Sequence, residues 1–459
     1  LSEAVFAMVA NRLIDPCSKR QLIEWVDRDA AMPEGWVPPS LDQYYRSLDA
    51  VADAKETTET ELYARLCDLT NMDLSMVCYD LASTYFEGDP RPTDRFPSKA
   101  FGYSRDKRSD RPQVVIGLLC TGDGIPIAHH VFAGNTSDST ALPDVLEDLA
   151  DRFGVGNITV VADRGLITAA NVEETANNGF DHILATKLHR DANCAEALEL
   201  AEADDITWVE VASANSRAAE VRLTDGTRAV VVESDERQRR DTALTAELIQ
   251  RTEKQLLGLE DRVRAGRLKD PAKIGRAAQR ILGGSGVARL FELEIAQAHF
   301  LYHYNDPAQD YEQQLAGRYV LTTSLTTTQA PTTRIVTAYR QLLHVESRFR
   351  TLKDSLHLRP VRHWTEKRVK GHIAVCVYAA IVETLINKTL AAAEVADPDI
   401  EEQHLSAPRA LRELGRVRQV QINPGGHNIE LITPRSPLQT RILATLNVDT
   451  KAWDTARVA

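Results

Sequence analysis

Three acidic residues in this chain stand where carboxylates can do chemistry, and two of them lie near the ends of apolar runs. Asp80 lies near the end of LSMVCYDLA (74–82), and Asp163 ends ITVVAD (158–163). A buried carboxylate costs several kcal/mol unless it is paired or metal-bound, and ligands bind at the carboxyl ends of strands in open α/β sheets. For either Asp taken alone, a turn-forming role at a strand end is the commoner one.

The third acid, Glu346, belongs to a helical pattern. Its apolar stripe consists of Ile335, Tyr339, Leu342, Phe349, Leu352 and Leu356. This spacing predicts one helix over about 332–356, with Glu346 inside the stripe and pointing inward. Lys353 follows on the same face, roughly 10 Å further along the axis. The two side chains are therefore placed either to form a structural ion pair or to touch two parts of one extended ligand.

Carboxylates from two strands and a helix would form an oxygen cage suited to Mg²⁺ or Mn²⁺. Two such ions about 3.5–4 Å apart activate a water or a 3′-OH and stabilise the leaving oxygen in phosphodiester displacement. The sequence contains no GxxxxGK[ST] phosphate loop, so nucleotide hydrolysis has no support, and it contains no HExxH or GxSxG motif. The three acids therefore predict phosphodiester chemistry with two divalent ions.

The charge distribution bears on whether the ligand is a polyanion. The chain has 54 Lys and Arg against 66 Asp and Glu, a net charge of −12 at pH 7, and an acidic balance argues against nucleic acid. However, 334–370 holds ten basic and three acidic residues, and 91–111 holds seven basic and three acidic residues. These two segments can hold phosphates, or they can be solvated helix faces.

A length of 459 residues predicts two to four folded units. The patterns divide the chain into a helical region (1–70), a part with strands and helices (71–190), an inserted α+β subdomain (191–330), two helices (331–393) and a C-terminal region (394–459). The fold class is α/β with a mixed sheet. The absence of an uncharged apolar run of about 18 residues, of a signal-peptide pattern and of CxxC pairs predicts a cytoplasmic protein without a membrane span.

The segments around the three acids resemble the IS4-type DDE transposases, and within them the IS1634-like branch. These segments are YDLASTYFEG (79–88), GYSRDKRSDRPQVVIGLL (102–119), GNTSD (134–138), VVADRG (160–165) and YRQLLHVESRFRTLKDSLHLRPVRHW (339–364). The most specific part is the pattern Tyr-x2-Arg-x3-Glu-x6-Lys. Tyr339, Glu346 and Lys353 match it, whereas Leu342 stands at the Arg position.

The resemblance implies an RNase H-like mixed sheet flanked by helices, with the insertion before the last catalytic helix. It implies that Asp80, Asp163 and Glu346 bind Mg²⁺ or Mn²⁺, two ions in all, and carry out catalysis. The residues expected to contact DNA are Tyr339, Lys353, Arg340, Arg348, Arg350, Arg105, Lys107 and Arg108. Arg340, Arg348 and Arg350 are also the candidates to replace the missing Arg of the pattern.

The implied activity is cleavage at terminal inverted repeats with water, followed by attack of the freed 3′-OH on target DNA. The partner is double-stranded DNA, bound by a homodimer that brings two transposon ends together, and no membrane is involved. Tyr319 and Trp208 are candidates to stack on a flipped base, although a core position is the commoner role for such aromatics. Two alternatives stay open, namely a catalytically silent DNA-binding remnant and a metal-dependent nuclease that does not join strands.

Overall fold

A computed structural model gives the fold of most of the chain. It describes residues 1–33, 35–70, 76–87, 96–153, 158–163, 169–186, 191–212, 215–400, 403–422, 429–453 and 457–458. Of the segments singled out above, Leu74, Ser75, Gly88, Arg164 and Gly165 lie outside these residues, as does the stretch 91–95 of the first basic segment.

Regular elements occupy most of the described residues. The helices are α1 (Ser2–Ile14), α2 (Lys19–Arg28), α3 (Leu41–Asp53), α4 (Lys55–Thr70), α5 (Asp138–Phe153), α6 (Ala169–Asn177), α7 (Ala192–Ala201), α8 (Asp235–Arg264), α9 (Pro271–Gly283), α10 (Asp306–Leu315), α11 (Thr332–Arg340), α12 (Leu342–Lys353), α13 (Glu366–Ala392), α14 (Ala407–Leu414) and α15 (Pro437–Thr445). The strands are β1 (Met76–Tyr85), β2 (Gln113–Thr121), β3 (Pro126–Ala133), β4 (Thr159–Ala162), β5 (Asp181–Ala185), β6 (Trp208–Val211), β7 (Ser216–Arg222), β8 (Arg228–Glu233), β9 (Phe291–Ala296), β10 (His299–Tyr304), β11 (Arg318–Thr323), β12 (Gln419–Ile422), β13 (Ile429–Ile432) and β14 (Arg457–Val458).

The chain divides into two compact units. The first comprises Leu1–Asp181 and Gln341–Ala459, and the second is His182–Arg340. The predicted insertion, 191–330, lies within the second unit. The helical region 1–70 belongs to the first unit, together with all three acids.

The strands of the first unit lie in the order β3-β2-β1-β4. β1 pairs antiparallel with β2 and parallel with β4, and β2 pairs antiparallel with β3. All nine residues of β2 are buried. The β2–β3 turn places Gly124 at a φ of +76°, which glycine adopts at no steric cost. This strand order and these directions are those of an RNase H-like mixed sheet, so the predicted fold class is confirmed.

Helices cover this sheet and fix one another by close approach. α12 packs against β1, while α4 and α13 pack against β3. α13 also packs on α3, so closely that a Cβ on Gly371 would lie 2.1 Å from the carbonyl oxygen of Leu48. By length and composition α13 could cross a membrane, but 72% of its most apolar 18-residue window is buried inside the fold. In this structure α13 is therefore a core helix.

The second unit has a sheet and apolar cores of its own. Its strands lie in the order β5-β11-β8-β7-β6, each antiparallel to its neighbours. α7 packs on β7 and β8, whereas α8, α9, β9 and β10 enclose a separate apolar cluster. This unit has the α+β character predicted for the insertion.

The prediction of one helix over 332–356 is wrong. α11 ends at Arg340 and α12 begins at Leu342, with Gln341 between them. Gln341 packs against the β2–β3 turn, where a Cβ on Gly122 would lie 2.5 Å from Oε1 of Gln341. The buried residues of α12 are Leu342, Val345, Phe349 and Leu352. The buried face of α12 thus keeps the predicted positions Leu342, Phe349 and Leu352 and includes Val345 as well.

Candidate active site

Two of the three acids lie side by side where the parallel pairing of β1 and β4 ends, Asp80 in the middle of β1 and Asp163 directly after β4. The register of β1 and β4 pairs Tyr79 with Ala162. Asp80 and Asp163 are the next residues along the two strands, and neighbouring strands are about 4.8 Å apart. Asp80 is largely buried, whereas Asp163 is exposed just beyond the end of β4. This register brings Asp80 and Asp163 together at the end of the β1–β4 pairing.

Glu346 approaches the same edge from α12, which packs against β1. The prediction that it points into the core is wrong, because Glu346 is exposed and Val345 takes the buried position. The predicted apolar positions Leu342, Phe349 and Leu352 are buried as expected, and Glu346 lies at the edge of that stripe beside Val345. Glu346 nevertheless lies close enough to Asp80 for its negative charge to act on that carboxyl.

The electrostatics of Asp80 show that its carboxyl lacks a full counter-charge. Burial raises the pKa of Asp80 to about 7, and the negative charges of Glu346 and Asp163 add to that rise. The backbone N–H of Leu81 donates to Oδ1 at 2.7 Å, and this bond and the charge of Arg105 act in the opposite direction. Such a balance of desolvation and like charge is typical of functional carboxylates.

The donor set suits a hard divalent cation, because all three side chains supply carboxylate oxygens. Among the described residues, no three Asp, Glu, His or Cys side chains converge closely enough to form a ready-made metal site. The raised pKa of Asp80 is the observation that favours a cation here, because a positive ion would offset both the burial and the repulsion that cause it. Asp80, Asp163 and Glu346 therefore fit a divalent ion in chemistry, and their side chains would have to close around it.

A basic loop, defined here as residues 101–112, flanks these acids. The backbone N–H of Arg105 donates to Oγ of Ser83 on β1 at 3.2 Å, and the Arg105 charge acts on Asp80. Lys107 is exposed and has a φ of +58°. Arg108 forms two bonds with the Asp110 carboxylate, at 2.8 and 3.0 Å, and its guanidinium lies 4.9 Å from the ring of Tyr85.

Lys353 forms an ion pair with a side chain that the sequence analysis did not single out. Its Nζ lies 2.8 Å from Oδ1 of Asp106, and the Arg359 guanidinium is bonded to that same oxygen. The Lys353 side chain is 13% exposed and that of Asp106 is 6% exposed. Asp106 was missed because a single acid within the basic run RDKR (105–108) carries no signal of its own.

The other cations of α12 differ in where they point. Arg348 donates from Nη1 to Oγ1 of Thr384 on α13 at 2.8 Å, so it faces a neighbouring helix. Arg350 is exposed. Leu342, which stands at the Arg position of the family pattern, is 7% exposed and belongs to the core. Of the three candidates to replace the missing Arg, Arg350 is the one on α12 that faces solvent.

The remaining predicted DNA-contacting residues lie in the second unit. Tyr339 and Arg340 end α11 and are half-buried. The ring of Tyr339 lies 5.6 Å from that of Tyr319, which is itself 8% exposed and has the guanidinium of Arg237 at 4.9 Å. Burial raises the pKa of Tyr319. Tyr319 therefore occupies the core position that was the alternative to base stacking.

Trp208, the second stacking candidate, is half-buried on β6. It packs against the apolar cluster of the second unit. The guanidinium of Arg217 lies 4.7 Å from its ring. The Trp208 ring therefore makes its contacts within the second unit.

Comparison with known proteins places this geometry in a family. Residues 83–382 match the family model described as "Transposase DDE domain", which is more than half of the chain. No curated protein matches the chain. Among solved structures, the chain is similar to a piggyBac transposase synaptic complex with hairpin DNA, with 10% identity, a TM-score of 0.38, and coverage of 90% of this chain and 70% of the other.

The chain is also similar to a Mos1 transposase paired-end complex with the left transposon end. That match has 13% identity and a TM-score of 0.18, and it covers 42% of this chain and 60% of the other. Both TM-scores are low. The family model matches more than half of the chain, and this chain belongs to the family of transposase DDE domains.

Proposed function

We propose that this transposase is of the IS4 type, cuts DNA at the ends of its own element and joins the freed 3′-OH ends to a target. The observation that carries the proposal is the state of Asp80, a largely buried carboxyl whose pKa is raised to about 7 by burial and by the negative charges of Glu346 and Asp163. Three acids brought into mutual electrostatic reach by two strands and a helix are the feature that a phosphodiester-cleaving site needs.

Transposase DDE domains generally use divalent metal ions. We propose two ions, Mg²⁺ or Mn²⁺, held by Asp80, Asp163 and Glu346. When bound, such ions lower the pKa of the attacking water or 3′-OH and stabilise the charge that develops on the leaving oxygen. The rest of the chemistry is a matter of how the chain holds the reacting DNA.

The chain's own residues prepare the site in two ways. Asp80 must lose its proton to act as a ligand, and the positive charge of Arg105 favours the ionised carboxylate by lowering its pKa. Burial of Asp80 also keeps bulk water away from one side of the site, which strengthens every interaction made there. Asp163 and Glu346, both exposed, stand on the side from which DNA can approach.

We propose that phosphates are bound by the solvent-facing cations of the predicted set in the first unit. Arg350 on α12 and Lys107 on the basic loop are exposed. Arg108 is partly exposed and paired with Asp110, so it would exchange one acceptor for another. Phosphate contacts need no particular base, and their number sets the salt dependence of binding. Tyr339 and Arg340 remain predicted contacts from the second unit.

The proposed partners are double-stranded DNA, both terminal inverted repeats and target, and a second copy of the chain that brings two ends together. The proposed location is the cytoplasm, on DNA, with no membrane involved. Joining two ends to one target is simplest with one active site per end, which is the reason for proposing a homodimer.

The direct test is incubation of the full chain with a DNA fragment that carries the sequences flanking its own gene, in Mg²⁺ or Mn²⁺. The proposal predicts specific nicking at the element ends and, with a supercoiled target added, joined products. Cleavage without joining would identify a nuclease instead. Binding without cleavage in either metal would identify a silent remnant.

A further inference from the structure

The basic loop is fastened to the catalytic helix at one buried acid. Oδ1 of Asp106 accepts from Nζ of Lys353 at the end of α12 and from the guanidinium of Arg359 just beyond it. Arg359 also reaches Asp354 at 3.2 Å. The second carboxylate oxygen of Asp106, Oδ2, is buried and has no hydrogen-bond partner among the residues that the structure describes. A buried acid with two cations on one oxygen is costly to disturb, because loss of either partner leaves charge uncompensated.

The loop is anchored at both of its ends and at several points along its length. Ala100 and Gln113 exchange backbone hydrogen bonds of 3.2 and 2.8 Å. The Nε2 of Gln113 donates to the carbonyl of Tyr103 at 3.0 Å. The Arg105 N–H donates to Ser83 on β1. Asp106 is thus the side chain that ties the tip of the loop to α12, next to the residue that acts on Asp80.

The segment that carries Arg359 is itself tied to the catalytic strand. The N–H of Val361 donates to the carbonyl of Tyr85 at the end of β1, at 3.0 Å, and the N–H of Glu87 donates to the carbonyl of Val361 at 3.3 Å. β1, α12 and the segment after α12 therefore meet the basic loop around a single carboxylate. A shift of Asp106 would be felt at Arg105, one residue away.

We propose that Asp106, Lys353 and Arg359 form a clasp that holds the basic loop on the catalytic helix, with Asp106 as a positioning residue that keeps Arg105 beside Asp80. Lys353 then serves the reaction through Asp106 and not by touching a phosphate of DNA. The structural part stands on the ion pairs alone. The catalytic part rests on the function proposed above.

The structural part is tested without DNA by limited digestion with trypsin, which cuts after Lys and Arg and so reports opening of the basic loop. Asp106→Asn and Lys353→Met should each speed cutting within 101–112 by at least about tenfold, because the cutting rate follows the open population. Lys353→Arg keeps the charge and should restore slow cutting. Arg350→Met, an exposed cation on the same helix, is the matched control and should leave the rate unchanged.

Arg359→Met guards against variants that fail to fold, since the Arg359 side chain is more exposed than that of Lys353, 27% against 13%, and its removal disturbs the core less. It should speed cutting of the loop by a smaller factor than Lys353→Met. Equal, slow cutting of the loop in wild type, Asp106→Asn, Lys353→Met and Arg359→Met would overturn the clasp.

The role of Lys353 is tested by the salt dependence of DNA binding. Arg350→Met should lower the slope of log K against log salt by about 0.9, the value for one phosphate contact. Lys353→Met should leave that slope unchanged. Lys353→Met and Asp106→Asn should each lower the rate of DNA cleavage at least about tenfold, and the double variant should cleave no more slowly than either single variant. A slope lowered by Lys353→Met to the same extent as by Arg350→Met would make Lys353 a phosphate contact and overturn the proposal.

The structural part and the catalytic part of the proposal can be refuted independently. If the wild-type chain cleaves no DNA, the proposed function fails, while the trypsin result still decides whether the clasp exists. If cleavage is present and Asp106→Asn cleaves at the wild-type rate although its loop opens, the clasp is structural and the positioning role is refuted.

Discussion

Two largely buried carboxylates in the first unit have pKa values shifted in opposite directions by their surroundings. Glu59 on α4 is 3% exposed and has Arg152 at 2.8 Å, Lys55 at 3.0 Å and the His129 ring at 2.6 Å. Although burial alone would raise its pKa, these neighbours hold the pKa of Glu59 at about 2. Asp80 is largely buried too, but the Leu81 N–H and the charge of Arg105 do not offset that burial, to which Glu346 and Asp163 add, and its pKa rises to about 7.

The contrast indicates that the Glu59 carboxylate stabilises the fold, whereas we propose that the Asp80 carboxylate binds a ligand. Glu59 has its counter-charges built in, and the backbone N–H of His129 donates to it as well, at 3.0 Å. Asp80 has one backbone N–H and the charge of Arg105. A fold that leaves a buried acid short of positive charge beside two other acids loses stability there, and a bound cation recovers it.

The largest expected effect concerns catalysis. Asp80→Asn, Asp163→Asn and Glu346→Gln should each lower the rate of DNA cleavage by about 10³-fold or more, because loss of a metal ligand removes several kcal/mol of transition-state stabilisation. Cleavage kinetics with labelled DNA measure this, and gel-shift binding of the same DNA is the control, which should change little. Retained cleavage in one variant would remove that acid from the site.

The opposite pattern is expected for Glu59→Gln. Removal of its charge leaves Lys55 without its carboxylate partner and leaves Arg152 paired with Asp148 alone, which should cost about 3 kcal/mol of unfolding free energy. The midpoint of urea unfolding measures the loss. Below the melting temperature of the variant, the cleavage rate per folded molecule should remain near that of wild type, and a specific loss of cleavage would break the contrast between the two acids.

The two acids also predict opposite pH dependence of stability. The folded pKa of Asp80 is raised, so the stability it contributes is complete below about pH 4 and is lost as the pH rises through 7. The unfolding free energy of wild type minus that of Asp80→Asn should therefore fall by about 2–4 kcal/mol between pH 4 and 7 without metal. Added Mg²⁺ should reverse part of this fall. A difference that does not vary with pH would contradict the raised pKa.

For Glu59 the sign is reversed. Its folded pKa is lowered, so the stability it contributes is present above about pH 4.5 and is lost as the pH falls through 2. The unfolding free energy of wild type minus that of Glu59→Gln should therefore fall by about 2–3 kcal/mol as the pH falls from 4.5 to 2, and it should stay constant from pH 5 to 7. Urea unfolding at each pH provides the measurement, and a change within the upper range would show that another group is responsible.

The smallest expected effect is at Arg350. Its exposed side chain faces solvent near the site, so Arg350→Met should weaken DNA binding by about 1 kcal/mol or less at physiological salt, and equally for all sequences. Titrations with specific and unrelated duplexes measure this. A loss confined to one sequence would indicate a base contact instead.

The sequence predicted the framework of the site because its strands carry strong local signals. The apolar runs 74–82 and 158–163 correspond to β1 and β4, and Asp163 directly follows β4. The 3.6-residue pattern likewise predicted helical structure over most of 332–356, where α11 and α12 lie. These signals are short-range, so one sequence is enough to read them.

Features set by contacts between distant residues were not predictable. The break at Gln341 has no Pro or Gly to mark it, and Glu346, expected to point inward, is exposed at the edge of the apolar stripe. The pairing of Asp106 with Lys353 joins residues 247 positions apart. Arg348, expected at DNA, bonds to Thr384 on α13, and nothing in the local pattern distinguishes it from exposed Arg350.

The most direct test of the central claim is a crystal structure of the full chain soaked with Mn²⁺, with the metal located by anomalous scattering. The account predicts manganese bound by Asp80, Asp163 and Glu346, and loss of that peak in crystals of Asp163→Asn. Manganese bound elsewhere, or an unchanged peak in the variant, would contradict the assignment of these three carboxylates as the catalytic site.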